Sequence, residues 1–190
     1  MLNLSRNLKL SIALIVTGCV IHFIGFVSPY WNIIPDTEAL ESTESAVRLG
    51  LWTVCIRRGK KINCVQYDHS LSQSKAAKGL ETLSVIFYLL SLLSFWLYLR
   101  HPVYGGDILL VCMIFIILIV ETTAVGALCW VTMSDIQKRY VLSWAFGLTV
   151  GSVIFPVIAG WFVSQERSSF IQQHRRSSLE QPEKKEILLH

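Results

Sequence analysis

The sequence predicts an all-α membrane protein, a four-helix bundle that carries a small extracellular antiparallel β-sheet. Hydrophobic residues make up 53% of the 190 residues and charged residues only 16%, which is more apolar surface than a soluble chain of this length needs. Four long apolar stretches divide the chain, and a polar segment with many β-forming residues separates the first two. Together these features predict four membrane-spanning helices and one folded loop.

Each apolar stretch is long enough to cross a hydrocarbon core, which takes about 20 helical residues. The predicted spans run from Leu10 to Tyr30, Gly79 to Leu99, Ile108 to Trp130 and Val141 to Val163. The first stretch is longer than the apolar part of a signal peptide, and no small-residue cleavage site follows it. We therefore expect a retained helix and one transmembrane domain over residues 10–163.

Basic residues near the spans predict the orientation. They precede the first span, follow the second and follow the fourth: Arg6, Lys9, Arg100, Arg167, Arg175 and Arg176. Because cytoplasmic segments carry an excess of Lys and Arg, both termini, including residues 1–9, are expected in the cytoplasm. Lys138 and Arg139, in the other short connection, argue against this orientation. Residues 31–78 and 131–140 are then extracellular loops of a plasma-membrane protein.

The cysteines support the same orientation. Cys55 and Cys64 are the one pair outside the predicted spans, and a disulfide between them requires an oxidising compartment. Cys19, Cys112 and Cys129 fall within or at the ends of spans, where buried, inert thiols are expected.

The long first loop contains a predicted hairpin. β-Forming residues flank Arg57-Arg58-Gly59-Lys60-Lys61, and Gly59 permits the positive φ of a tight turn. This pairing places Cys55 near Cys64, and closing such a loop contributes about 2–3 kcal/mol in the chain-entropy model. Because an isolated hairpin is only marginally stable, further strands are predicted at residues 32–34 and 46–49.

Tryptophans, glycine and cysteines follow one another in a recognisable order in this loop. Trp31 is followed after eighteen residues by Gly50-Leu51-Trp52, and then by Cys55 and Cys64. Trp31 and Trp52 taken alone would also fit a belt of interfacial tryptophans. With four spans, a long first loop and a short second loop, the array resembles the signature of the claudin and peripheral myelin protein superfamily, which includes epithelial membrane proteins and calcium-channel γ subunits.

Two details are similar to the claudin branch of that superfamily. One is the eighteen-residue interval before Gly50, and the other is Lys75-Ala76-Ala77-Lys78-Gly79-Leu80 at the start of the second span, with Lys78 at the basic position. The resemblance implies a claudin-like fold, with the sheet above a left-handed bundle. It implies that Trp31, Leu51 and Trp52 anchor the sheet to the bundle.

The resemblance also implies a function. A claudin-like protein is expected at cell–cell junctions, where its first extracellular loop assembles with like or related membrane proteins in cis and, in some cases, in trans. Such assemblies form a paracellular barrier or an ion-selective pore. The alternative is an auxiliary ion-channel subunit or membrane-organising protein of the calcium-channel γ or myelin-protein type.

Three features depart from the claudin pattern. The second extracellular loop, residues 131–140, is short and lacks an aromatic-proline segment, so adhesion in trans through it is not expected. The chain ends in Ile187-Leu188-Leu189-His190 rather than Tyr-Val, so binding of a PDZ scaffold is not expected. The juxtamembrane cysteines that many claudins palmitoylate are also absent from the connection after Arg100 and from the tail.

The hairpin turn concentrates positive charge. Residues 31–78 contain seven Lys or Arg and five Asp or Glu, and four of the bases are Arg57, Arg58, Lys60 and Lys61. If neighbouring molecules line a pore with this loop, a basic rim would favour anions. The alternative is a solvated turn whose charges keep a strand edge from aggregating.

Two residues inside the spans draw separate expectations. Glu121 is the one acid clearly inside a predicted span, and we expect it to face the bundle, protonated or hydrogen-bonded to Ser, Thr or His22. A lone carboxylate without an intramembrane Lys or Arg is weak support for ion transport. Pro156 is expected to bend the fourth span, with neighbours satisfying the freed carbonyl.

The polar residues 164–190 are expected to form a disordered cytoplasmic tail. Arg175-Arg176-Ser177-Ser178 makes Ser178 a candidate phosphosite for a basophilic kinase, since a phosphate there would add negative charge beside two arginines.

The residue pattern argues against several classes of function. The histidines are scattered without metal-ligand spacing, and no Ser/His/Asp set or glycine-rich phosphate loop occurs. We therefore expect no enzyme activity, no cofactor and no metal. Nucleic-acid binding is also not expected, because the basic residues are divided between the two membrane faces.

Overall fold

The structure is a computed structural model that describes residues 5–33, 45–58, 61–66, 72–101, 104–132 and 141–187. The helices of these segments are α1 (Arg6–Val27), α2 (Ser72–Arg100), α3 (Gly105–Val131), α4 (Trp144–Gly151) and α5 (Ile154–Ile187). The strands are β1 (Asn32–Ile33), β2 (Ser45–Leu49), β3 (Thr53–Arg58), β4 (Lys61–Gln66) and β5 (Val141–Leu142).

Four helical segments of the described chain are long and apolar enough to cross a membrane. They are Arg6–Val27, Ser74–Arg100, Gly105–Val131 and Trp144–Gln173, the last of which combines α4 with the first part of α5. The prediction of four spans is therefore confirmed by length and composition, and it indicates a multi-pass membrane protein.

Buried side chains recur along the helices with alternating steps of three and four residues. In α1 they are Leu8, Ser11, Ile15, Gly18, His22 and Gly25. In α3 the series is Leu109, Cys112, Ile116, Ile119, Thr123, Gly126 and Trp130. In α2 it is Ser74, Ala77, Glu81, Ser84, Tyr88, Ser91 and Phe95. Because this repeat of 3.5 residues is shorter than the turn of a straight helix, it favours a left-handed supercoil of the packed helices.

The ends of the helices differ from the predicted spans. The side chain of Ser5 accepts a hydrogen bond from the backbone N–H of Leu8 at 3.2 Å, so this N-cap starts α1 at Arg6 rather than Leu10. The helix ends at Val27 because Pro29 disfavours helical backbone at the residue before it. α2 begins at Ser72, inside the predicted loop, since the apolar pattern marks the bilayer rather than the helix end.

Ser152 and Val153 interrupt the fourth span between α4 and α5. Pro156 has no N–H to donate to the carbonyl of Ser152. That carbonyl instead accepts hydrogen bonds from the Tyr88 hydroxyl at 3.4 Å and from the Phe155 N–H at 3.2 Å. The expected satisfaction of the freed carbonyl by neighbours is confirmed.

A five-stranded sheet covers one end of the bundle, with the strand order β4-β3-β2-β1-β5 and antiparallel pairing throughout. The strands expected at residues 32–34 and 46–49 are present as β1 and β2, and residue 34 lies outside the described segments. The sequence predicts that the fourth span begins at Val141. This is wrong for Val141 and Leu142, which form β5. They pair with Ile33 and Asn32, and two apolar residues directly before a span carry no signal that separates strand from helix.

The expectation of a disordered tail is wrong for residues 164–187, which continue α5. Neither glycine nor proline occurs between residues 164 and 181, and extending an existing helix requires no new nucleation. Contacts with the bundle hold its first turns: Ser5 Oγ donates to Glu166 Oε2 at 2.6 Å, and Arg167 Nε donates to the Gly106 carbonyl at 3.4 Å. Ser178 lies within α5. Residues 188–190, 133–140 and 1–4 lie outside the described segments.

Candidate functional site

Trp31 is completely buried where α1 meets the sheet. Its indole Nε1 donates to the carbonyl of Gly25 at 2.7 Å. In a continuing helix this carbonyl would accept from the N–H of residue 29, but Pro29 has no N–H. Its ring packs edge-on against Trp130 and Phe146, with centroid distances of 5.1 and 5.6 Å. One side chain therefore contacts the sheet-side ends of α1, α3 and α4.

The backbone of Trp31 makes further connections. Its N–H donates to the carbonyl of Leu49 at 3.1 Å, and its carbonyl accepts from the N–H of Ser143 at 2.8 Å. On the neighbouring ring, Trp130 Nε1 donates to Asn32 Oδ1 at 3.2 Å. The sheet is thus fixed to the bundle by apolar packing and by hydrogen bonds at the same place.

Gly50 and Leu51 close the same junction from the sheet side. Leu51 is buried in the apolar cluster that contains Trp31 and Trp130. A Cβ atom at position 50 would lie 2.5 Å from Pro29 Cα and 2.7 Å from the Ser28 carbonyl oxygen. Only glycine fits here without displacing the backbone after α1.

Trp52 lies between α1 and α2. Its ring packs edge-on against Phe26 at a centroid distance of 5.2 Å. Lys78 Nζ lies 5.8 Å from the centroid of the same ring, within the range of a cation–π interaction. The structure therefore brings Trp52 and Lys78 together beside the junction that contains Trp31, Gly50 and Leu51.

The predicted disulfide is confirmed: Cys55 and Cys64 are bonded, with a Cα separation of 4.1 Å. They face each other in the register of β3 and β4. So short a separation is typical of a non-hydrogen-bonded antiparallel pair. The backbone N–H and C=O groups of Cys64, and by alternation those of Ile62 and Gln66, therefore point away from β3. Among the described cysteines, Cys19, Cys112 and Cys129 are free.

β4 forms the long outer edge of the described sheet. All six of its residues are exposed, and they include Ile62 at 53% and Val65 at 57% exposure. The opposite edge, β5, has only two residues. An exposed strand with outward N–H and C=O groups is a template for pairing with another strand.

Three of the four basic residues predicted as a charged surface are described, and they lie at the end of this hairpin. Arg57 is exposed on β3 and Lys61 is exposed on β4. Arg58 stands opposite Lys61 in the strand register, and Lys60 lies outside the described residues. Positive charge is therefore present beside the open edge, where β3 ends and β4 begins.

A buried polar pair inside the bundle was missed by sequence reasoning. His22 on α1 and Glu81 on α2 are both completely buried, with His22 Nε2 3.5 Å from Glu81 Oε2. Among the described residues, neither carboxylate oxygen of Glu81 has a hydrogen bond of good geometry. This pair therefore places an acid and a base side by side inside the helix bundle.

Hydrogen bonding around His22 assigns its tautomer. Ser152 Oγ donates to the Thr149 carbonyl at 2.6 Å, so it must accept from His22 Nδ1 at 3.2 Å. With its hydrogen on Nδ1, a neutral imidazole presents an acceptor Nε2 to Glu81, whereas an imidazolium presents a second N–H. In either form the two atoms that face each other are His22 Nε2 and Glu81 Oε2, 3.5 Å apart.

Gly126 on α3 completes the surroundings of Glu81. A Cβ atom at position 126 would lie 2.7 Å from Glu81 Oε1, so the carboxyl group fills the space above this glycine. On the next turn, Ser84 and Thr123 share a hydrogen bond of 2.8 Å. The described residues contain no group of three or more His, Cys, Asp or Glu able to hold a metal ion.

The expectation that Glu121 faces the bundle is wrong. Glu121 is exposed, because it lies between the buried heptad positions Ile119 and Thr123 of α3. Glu81 occupies a buried heptad position of α2 instead. The position of each acid relative to the 3.5-residue repeat of buried residues could have distinguished Glu81 from Glu121. The predicted start of the second span at Gly79 instead made Glu81 look like a residue at the edge of the membrane.

No family model matches this chain, and no curated protein matches its sequence.

Proposed function

We propose that this chain is a claudin-like protein of cell–cell junctions that assembles with like molecules through its first extracellular loop. The sheet lies outside the cell in this proposal, since its disulfide needs an oxidising compartment, and both termini are cytoplasmic. Side-by-side assembly in one plasma membrane then contributes to a paracellular barrier or an ion-selective pore.

The open edge of β4 is the observation that carries the proposal. Exposed edge strands are normally blunted, because they pair with other chains. Here the edge is fully exposed, stiffened by the Cys55–Cys64 bond, and fixed to the bundle through Trp31 and Leu51. A rigid edge of this kind supports pairing of β4 with a strand of a neighbouring molecule in a fixed orientation. Ordered rows of membrane proteins require such a fixed orientation between neighbours.

Replacing Ile62 by proline tests the proposal directly. Proline removes the outward N–H of position 62 but leaves the hydrogen bonds between β3 and β4 intact, because those involve the alternate positions 61, 63 and 65. In cells without junctional strands, the wild-type protein is expected to concentrate at cell–cell contacts and to form strands in freeze-fracture images. I62P is expected to reach the surface but to remain diffuse.

Asn63 supplies the matched control. N63P removes an N–H that points toward β3, so it should weaken the hairpin itself and lower surface expression. A diffuse wild-type protein that co-purifies with an ion channel would contradict the proposal and favour the auxiliary-subunit alternative. Strands of unchanged abundance with I62P would exclude the β4 edge as the contact.

Charge reversal distinguishes a pore rim from a solvated turn. Changing Arg57, Arg58, Lys60 and Lys61 to glutamate is expected to shift the permeability ratio of an expressing epithelial layer from anions toward cations, because rings of charge act at close range. Dilution potentials measure this ratio. Glutamate at the exposed Lys75 and Arg100 is the control for general charge effects. An unchanged ratio would exclude the pore rim.

A further inference from the structure

Glu121 stands alone in an apolar helix face. The exposed residues of α3 that precede it on this face are Ile114 and Ile117, and those that follow are Ala124, Val125 and Leu128. Their spacing of three and four residues places all of them on the side of α3 that faces away from the bundle. The carboxyl group therefore sits in the middle of an otherwise apolar stripe.

The depth of Glu121 makes its exposure informative. It lies ten residues before Val131 and sixteen after Gly105, the two ends of α3, which places it about 15 Å and about 24 Å from those ends. A glutamate side chain is too short to reach the membrane interface from so far inside the helix. Exposing an ionisable group to hydrocarbon at that depth is costly. Within the described residues it has no hydrogen bond or ion pair.

We propose that this face of α3 docks a transmembrane helix of another membrane protein, one that carries a lysine or arginine at membrane depth. A basic side chain there would neutralise Glu121, while the apolar residues on both sides of it would pack against the partner helix. The site is independent of the β4 edge, which belongs to the sheet.

A second copy of this chain does not provide the complementary charge. The exposed basic residues of the described spans are confined to helix ends: Arg6 and Lys9 in the first two turns of α1, Lys75 at the start of α2 and Arg100 at its end. None of them lies at the depth of Glu121. The opposite charge must therefore come from a different protein.

A synthetic probe helix tests the proposal without a known partner. The probe is a leucine-alanine transmembrane peptide with one arginine at its centre, and the matched peptide has leucine at that position. With the full-length protein in phosphatidylcholine vesicles, energy transfer between labelled protein and peptide reports association. The arginine peptide is expected to associate about tenfold more tightly than the leucine peptide.

Variants of the protein locate the contact. E121Q and E121L are expected to remove the preference for the arginine peptide. A124W, on the same face one turn away, is expected to weaken its binding by blocking close approach. V20W, at an exposed position of α1, is the matched control and should not change binding.

Three results would overturn the proposal. Equal affinity of wild-type protein for the two peptides would show that Glu121 does not select a basic helix, and this comparison involves no variant whose folding is in question. Binding that survives A124W but is lost with V20W would place the contact elsewhere. Self-association that depends on Glu121 and competes with the peptide would identify a second copy as the occupant.

Discussion

Replacing Trp31 by alanine is expected to reduce the free energy of unfolding by about 3–5 kcal/mol, the usual range for removing a fully buried tryptophan. The substitution removes the rings' contacts with Trp130 and Phe146 and the hydrogen bond to Gly25. Because those contacts fix the sheet to the bundle, W31A should also lose surface expression. Unfolding of the purified protein in detergent, followed by tryptophan fluorescence and circular dichroism, measures the change.

Two controls separate the parts of this effect. W31F keeps an aromatic ring but loses the indole N–H, so it should cost about 1 kcal/mol for the hydrogen bond plus a small packing loss. W161A removes a tryptophan that is 66% exposed on α5, and its effect should stay within about 0.5 kcal/mol. A W31A protein as stable as W161A would show that the junction does not hold the sheet.

Much of the fold was predictable because its signals are local. The four spans follow from apolar length, and the hairpin follows from β-forming residues around Gly59 and from the position of Cys55 and Cys64. The predicted strands at residues 32–34 and 46–49 were found as β1 and β2, since an isolated hairpin needs neighbours. Pairings between distant segments were not predictable in this way, as β5 illustrates: only contact with Asn32 and Ile33 makes Val141 and Leu142 a strand.

The buried residues of the bundle were harder to predict than its outline. Hydropathy measures how much of a helix is apolar but not which side faces its neighbours, so Glu121 and Glu81 were indistinguishable by composition. The repeat of 3.5 residues separates them, because it includes Glu81 and excludes Glu121. The continuation of α5 beyond residue 164 was missed for a related reason: polar composition indicates exposure to water, and an exposed helix end has that composition as well.

The contact between His22 and Glu81 predicts a strongly non-additive pair of substitutions. His22→Leu leaves the carboxyl group of Glu81 buried without its partner, and leaving a buried polar group unsatisfied typically destabilises by about 1–3 kcal/mol. Glu81→Met leaves His22 with its hydrogen bond to Ser152, so its effect should be smaller. The double variant H22L/E81M removes both polar groups and should be more stable than H22L alone. Unfolding free energies of the four proteins complete the cycle.

A neighbouring pair in the same bundle provides the comparison. Ser84 and Thr123 join α2 to α3 through a neutral hydrogen bond of 2.8 Å, and hydrogen bonds of this kind in membranes couple by only about 0.6 kcal/mol on average. The coupling of His22 with Glu81 should exceed the coupling measured with S84A and T123V. Equal couplings would mean that His22 and Glu81 interact no more strongly than a neutral hydrogen-bonded pair. A larger coupling would show that the contact between His22 and Glu81 stabilises the packing of α1 against α2.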